Sequence, residues 1–257
     1  MLRKFWEKIR RKLAGQELVP SIAPASLAFE HGAATQIVGR DVNADHFTVH
    51  GEKRLYIVAD GIGEKEGKVA SRYVCRHVAN NFDASDPTTL LTTVLEAHRQ
   101  LRTIKKNKYR DKYGIPVGVP CTTLSALHFD KNGTGHLVHA GDSSIYRLRK
   151  KELERLTTPR EPRFQGIGGL RRKEPPTETQ VDVKHGDVFL LCTDGLTGNE
   201  PENGLGERQG LTDKEIKKVL LKTAKSNMTP LQAADHLTKF DLTRIRDSRT
   251  AIVVKVK

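Results

Sequence analysis

Sulfur and aromatic rings are scarce in this chain: three cysteines, two methionines and one tryptophan among 257 residues. Cys75, Cys121 and Cys192 are far apart and odd in number. That excludes a disulfide framework and fits the reduced, buried thiols of a cytosolic protein. Aromatic residues make up 5%, with no basic-aromatic motif of the kind that stacks single-stranded bases, so nucleic acid is not an expected partner. No apolar run approaches the roughly 18 residues of a membrane span, and the charged N-terminus lacks the apolar core of a secretory signal. A G-x-x-x-x-G-K-[ST] loop is also missing, which excludes a P-loop nucleotide hydrolase. Six residues after each cysteine, where a thiolate phosphate-binding loop would need arginine, stand Asn81, Leu127 and Gly198. Internal repeats and long low-complexity stretches are absent.

Acidic residues are outnumbered, 31 against 44 lysines and arginines, for a net charge of +13. Much of the excess sits in Arg3 to Lys12, Arg102 to Lys112 and Arg160 to Lys173. Such clusters attract anionic partners of several kinds without choosing among them. What remains is a folded globular composition, 37% hydrophobic and 29% charged.

The first 25 residues read as a unit apart. Leu2, Phe5, Trp6, Ile9 and Leu13 recur at three- and four-residue spacing, and Arg3, Lys4, Lys8, Arg10, Arg11 and Lys12 fill the opposite face. The pattern predicts a basic amphipathic helix ended by Gly15, then a proline-bearing linker, "QELVPSIAPAS". A helix of this kind can lie on an anionic membrane. Docking on the protein's own core or on a partner is the alternative.

From about residue 26 to 257 the chain predicts one α+β domain. Strand patterns occur at "HFTVH", "RLYIVAD", "TTLSALHF", "GHLVHAG", "SIYRLR", "TETQVDV", "DVFLLCTD" and "RTAIVVKV". Gly133 and Gly135 suggest a hairpin turn between two of them. Helical patterns lie at "GKVASRYVCRHVANNF", Thr88 to about Lys106, Thr212 to Ala224 and Thr229 to Phe240. Strands and helices come in blocks rather than strict alternation, which favours antiparallel sheets.

Four aspartates fall where strands end or begin: Asp45 in "GRDVNADHF", Asp60 in "VADGIG", Asp194 in "CTDGL" and Asp247 in "RIRDSRTAIVV". A lone aspartate at a turn is ordinary. Asp60 and Asp194 end strongly apolar strands, however, and Asp247 opens a third. Carboxylates gathered at buried strand ends repel unless a cation neutralises them. An all-oxygen set without His or Cys selects magnesium or manganese over zinc.

At these residues the sequence resembles the metal-dependent protein phosphatases of the PP2C (PPM) type, specific for phosphoserine and phosphothreonine, over about Gly39 to Val254. "RDVNAD" is similar to the family's R-x-x-N-x-D and "ADGIG" to A-D-G-M-G. "CTTLSAL" is similar to G-T-T-L-x-A-L, and "AGDSSIYRLRKKELERLT" to G-D-S-R-x-Y with a following hairpin. "GDVFLLCTDGL" matches G-D-x-L-L-L-C-S-D-G-L, and "DSRTAIVV" stands for D-N-x-T-x-I-V-V. Six motifs in order are a specific signal. The resemblance implies an α-β-β-α sandwich, two antiparallel sheets flanked by helices. It implies two Mn2+ or Mg2+ ions, with Asp60 bridging them and the Gly61 carbonyl helping to hold one. Asp194 and Asp247 would complete the first site, Asp45 would serve the second directly or through water, and Asp142 would hold a weaker third ion. Arg40 would grip the substrate phosphate, and metal-activated water would be the nucleophile. A phosphorylated protein substrate and a Ser/Thr kinase follow as partners of a cytoplasmic enzyme; peripheral contact with the membrane is one of the two expectations for the N-terminal helix, not part of the resemblance.

Several positions depart from the family pattern. Glu64 replaces a glycine, Ser248 replaces asparagine, and Ile62 stands where some members carry histidine. The segment "TPREPRFQGIGGLRRKEPPTE" is shorter than the usual flap. These departures motivate one alternative, a catalytically weak relative that binds phosphoproteins.

Overall fold

The computed structural model describes residues 27–103, 120–160, 166–169, 174–198, 210–240 and 247–257. The expected N-terminal helix, most of the Arg102 to Lys112 cluster and parts of the Arg160 to Lys173 cluster lie outside the described residues.

The body is two five-stranded antiparallel sheets packed face to face. One sheet orders β1 (Phe29–Gln36), β12 (Arg249–Val256), β11 (Val188–Cys192), β7 (Ser144–Arg149) and β8 (Glu152–Arg155). The other orders β10 (Thr177–Asp182), β6 (Thr134–Ala140), β5 (Leu124–Phe129), β3 (Leu55–Ala59) and β2 (His46–His50). A two-stranded ladder joins β4 (Cys121–Thr122) to β9 (Ile167–Gly168). Helices α1 (Lys65–Asn81) and α2 (Thr89–Thr103) cover the second sheet; α4 (Asp213–Ala224) and α5 (Pro230–Thr238) cover the first. A single turn, α3 (Asp194–Thr197), follows β11.

Side-chain alternation along the central strands explains these layers. In β3, Leu55, Ile57 and Ala59 pack with Val74, Val78 and Leu90 of α1 and α2. Tyr56 and Val58 point the other way, into the layer between the sheets. In β11, Phe189 and Leu191 enter that same layer, while Val188, Leu190 and Cys192 meet Ile216, Leu220 and Leu237 of α4 and α5. Such strands are buried on both faces, which is why they read as unbroken apolar runs.

Helix boundaries follow local chemistry. Thr212 and Glu215 close a capping box on α4; Thr229 and Gln232 close another on α5, with Pro230 in the first turn. At the C-terminus of α1, Lys53 Nζ donates to the carbonyls of Ala79 and Phe82, both at 2.8 Å. The predicted β5–β6 hairpin forms, with Gly133 at φ 82° in its turn. Gly135 belongs to β6 instead, opposite Phe129.

β1 has no counterpart in the sequence reading. Its "FEHGAATQ" lacks apolar alternation, and it is held by full pairing with β12.

Candidate active site

Six of the seven residues singled out from sequence line one cleft of about 250 Å³: Arg40, Asp60, Gly61, Asp142, Asp194 and Asp247. Val42, Ala44, Ile62, Gly63, Glu64, Thr123 and Ser248 complete its wall. The seventh, Asp45, is buried just outside that lining.

Asp60 is fixed by backbone and threonines. Its N–H donates to Thr123 Oγ1 at 2.9 Å. Its carbonyl accepts from the Thr123 N–H at 2.8 Å and from Thr122 Oγ1 at 2.7 Å. The next peptide donates from Gly61 N to the Ala44 carbonyl at 3.2 Å. Gly61 and Gly67 touch so closely that a Cβ on Gly61 would lie 2.2 Å from Gly67 backbone atoms. That contact seats the first turn of α1 against the Asp60 loop.

Asp194 and Asp247 are joined the same way. A Cβ on Gly195 would fall 1.9 Å from the Ser248 carbonyl oxygen, so only glycine lets the two turns meet. The Ser248 N–H donates to Asp247 Oδ1 at 2.9 Å. Asp247 Oδ2 pairs with Arg40 at 3.2 Å.

Asp45 ties three strand ends together. Its Oδ2 accepts from Thr193 Oγ1 at 2.8 Å, beyond β11, and from Thr250 Oγ1 at 2.7 Å, in β12. Its own N–H donates to Asn43 Oδ1 at 3.0 Å, and Asn43 Nδ2 donates to Thr35 Oγ1 of β1 at 2.9 Å. Thr193, Thr250 and Asn43 stand inside the quoted motifs without a role of their own there, and Thr35 lies outside them; hydroxyls that act through another side chain leave no charge signal in a sequence.

The carboxylates strain one another electrostatically. Burial first, then two neighbouring carboxylates, raise Asp45 to about 8 against the lowering effect of its threonine bonds. Asp60 is pushed well above the usual carboxylate range by burial, then by Asp45 and Asp194. Burial also raises Asp194. Asp60 and Asp194 lie within hydrogen-bonding reach of each other, and Asp194 Oδ1 is buried without a hydrogen-bond partner.

Among the described residues no three His, Cys, Asp or Glu side chains form a ready-made liganding cluster. Asp247 turns instead to Arg40. The donor chemistry nonetheless fits a hard divalent cation. Two carboxyl groups this close need a shared proton or a cation between them, and a buried, unpartnered carboxylate oxygen has an open acceptor position.

The comparisons agree with this architecture. The family model described as Protein phosphatase 2C matches residues 34–240, and the chain belongs to that family. The serine/threonine protein phosphatase PstP of Mycobacterium tuberculosis is 30% identical over 175 residues, covering 58% of this chain. The chain spans about a third of the length of the curated relatives it matches, 33%. Among solved structures, PppA, a regulatory component of T6SS in Pseudomonas aeruginosa, superposes with a TM-score of 0.70 at 25% identity, over 91% of this chain and 100% of that one. The catalytic domain of PstP in complex with two manganese ions gives 0.67 at 24%, over 90% and 99%.

Proposed function

We propose that this chain hydrolyses phosphoserine and phosphothreonine in proteins, using two Mn2+ or Mg2+ ions. The observation that carries the reading is the Asp60–Asp194 pair, half-buried and mutually repelling, opening into a cleft that Arg40 also lines. Asp60 would bridge the ions with the Gly61 carbonyl beside it. Asp194 and Asp247 would complete one site, Asp45 would support the other directly or through water, and Asp142 would serve a weaker third. When bound, the ions supply water of lowered pKa and neutralise charge on the phosphoryl group.

The remaining work falls to the chain. Arg40 presents a planar fork that matches two phosphate oxygens, and its pairing with Asp247 already aims it at the cleft. Ile62 has no proton to give, so the leaving oxygen would take its proton from water or from another group. Thr122 and Thr123 hold the Asp60 backbone while substrate enters and leaves.

Hydrolysis of p-nitrophenyl phosphate with added Mn2+, with and without chelator, tests this. Turnover that appears with metal and vanishes with chelator is expected. Phosphopeptide binding without turnover would favour the phosphoprotein-binding alternative.

The substrate chemistry implies a Ser/Thr kinase acting before this enzyme. Among the described residues no helix is long and apolar enough to cross a membrane. For residues 1–25 the proposal is a basic amphipathic helix and linker that attach a cytoplasmic catalytic domain, residues 26–257, to anionic membranes. The spacing of Leu2, Phe5, Trp6, Ile9 and Leu13 supports it. Full-length protein should sediment with anionic vesicles at low salt, and protein starting near residue 26 should not.

A further inference from the structure

Helix α1 begins at the cleft. Gly63 and Glu64 line it, and Lys65 opens the helix. The buried face of α1 carries Gly67, Ala70, Ser71, Val74, Cys75 and Val78. Lys65, Lys68, Arg72 and Arg76 occupy the opposite, exposed face. Spacings of three, four and four place them in one stripe.

None of the four has an ion-pair or side-chain hydrogen-bond partner among the described residues. Like charges four apart on a helix repel; Glu64 and Glu66 stand beside the first turn, and the stripe stays net cationic.

From Lys65 to Arg76 the helix rises roughly 16 Å at 1.5 Å per residue. An extended peptide covers that length in about five residues at ~3.3 Å each. The ridge therefore matches a short segment running out of the cleft on one side of a bound phosphoresidue. A membrane suits it less: among the described residues of α1 only Val69 is an exposed large apolar side chain, and half-buried Tyr73 turns its hydroxyl to His77 and Gln100 of the domain itself, which leaves little to enter lipid.

We propose that the Lys65–Lys68–Arg72–Arg76 ridge docks an acidic stretch of the phosphoprotein substrate lying within a few residues of the phosphorylated position. This rests on the phosphatase reading of the cleft. Exposed ion pairs are individually weak but add along a ridge, and they act on substrate capture rather than on chemistry.

The test compares wild type with the variant Lys65→Gln, Lys68→Gln, Arg72→Gln and Arg76→Gln, which keeps helix propensity. Two phosphothreonine peptides of equal length are used, one with Asp and Glu flanking the phosphoresidue and one with Gln there. The expected result is a KM for the acidic peptide about tenfold higher in the variant at low salt, the sum of four modest pairs. The KM for the neutral peptide, kcat, and turnover of p-nitrophenyl phosphate stay unchanged. A second variant, Lys68→Glu with Arg72→Glu and Arg76→Glu, should instead prefer a lysine-flanked peptide. In wild type the acidic preference should shrink as salt rises.

An acidic-to-neutral KM ratio equal in wild type and both variants overturns the proposal. Loss of anionic-vesicle binding in the variants with unchanged peptide preference overturns it in favour of a membrane surface. Absence of turnover in every protein defeats the phosphatase reading, and fluorescence anisotropy of the labelled acidic phosphopeptide then decides docking by itself: weaker binding to the variants sustains the ridge, and equal binding removes it.

Discussion

Arg40 is the residue whose role separates most cleanly from the fold. It lies on the exposed rim, and among the described residues its ion-pair partner is Asp247 at 3.2 Å, so its removal leaves the core untouched. A charge-assisted phosphate contact is worth about 1.5–3 kcal/mol, or roughly ten- to a hundredfold in affinity. Arg40→Ala should raise KM and weaken inhibition by free phosphate by that factor, with an unchanged Mn2+ requirement. Phosphate inhibition equal to wild type would reduce Arg40 to a surface ion pair. The titration of the buried aspartates makes a second expectation. Asp45 goes from 3.8 to about 8, and Asp60 and Asp194 are raised with it. A carboxyl group raised in the folded state binds more protons there than when unfolded, so its stabilising effect is present at low pH and lost as pH rises. Burial acts oppositely on His139, lowered from 6.5 to about 4, and lowers His46 and His128. Those histidines favour the fold as pH rises toward 6.5, above which they are neutral in both states. The clear window is therefore about pH 6.5 to 8. Protein kept in chelator should lose thermal stability across it, and saturating Mn2+ should flatten the slope. A melting temperature that climbs through that window in chelator would contradict the carboxylate account.

At the scale of elements, the cleft exists because three strand ends are tied together. Thr250 of β12 donates to Asp45 Oδ2 and lies 2.8 Å from Thr35 Oγ1 of β1. Thr250→Val removes one of the two hydroxyl donors to Asp45 Oδ2, leaving Thr193, and should cost about 0.5–1.5 kcal/mol, read as a lower urea midpoint. Thr250→Ser keeps the hydroxyl and should recover most of the loss. Equal midpoints for Val and Ser would mean that the methyl group, not the bond, matters. Gly195→Ala tests the other joint. Its Cβ would meet the Ser248 carbonyl at 1.9 Å, and overpacking of this kind costs about 1–3 kcal/mol. The displaced Asp194 turn should also lose Mn2+-dependent turnover, measured beside a denaturation curve. The sequence announced these joints unevenly. Asp60 and Asp194 were legible because unbroken apolar runs led to them, and the starts of α4 and α5 at Thr212 and Thr229 were legible from helical patterning, while their capping boxes emerged only in the structure. β1 was not legible, because "FEHGAATQ" becomes a strand only through its partner β12. The Asp45 threonines were seen as motif letters without a function, since a hydrogen bond spanning 205 residues has no local signature.

Over the whole molecule, the sandwich divides labour. Helices seal the outer faces, the inter-sheet layer of Tyr56, Phe129, Phe189 and Ile252 fixes the spacing of the sheets, and the strand ends converge on one cleft. The chain's net charge of +13 contrasts with the carboxylates of the cleft, and under the proposed function that excess would draw anionic phosphoproteins toward the enzyme. The α1 ridge escaped the sequence reading because its cations are spread over twelve residues and interleaved with core positions. The central claim is that Asp60 makes this cleft a metal-dependent phosphomonoesterase. Asp60→Asn removes one of the mutually repelling charges while keeping the side-chain volume, so the fold should persist. Phosphate release from a phosphothreonine peptide at saturating Mn2+ tests the claim most directly. Wild type should turn over, and folded Asp60→Asn protein should retain no more than a few per cent of that rate by about the loss expected when a metal-bridging ligand is removed. Release by folded Asp60→Asn protein at a rate near wild type would contradict it.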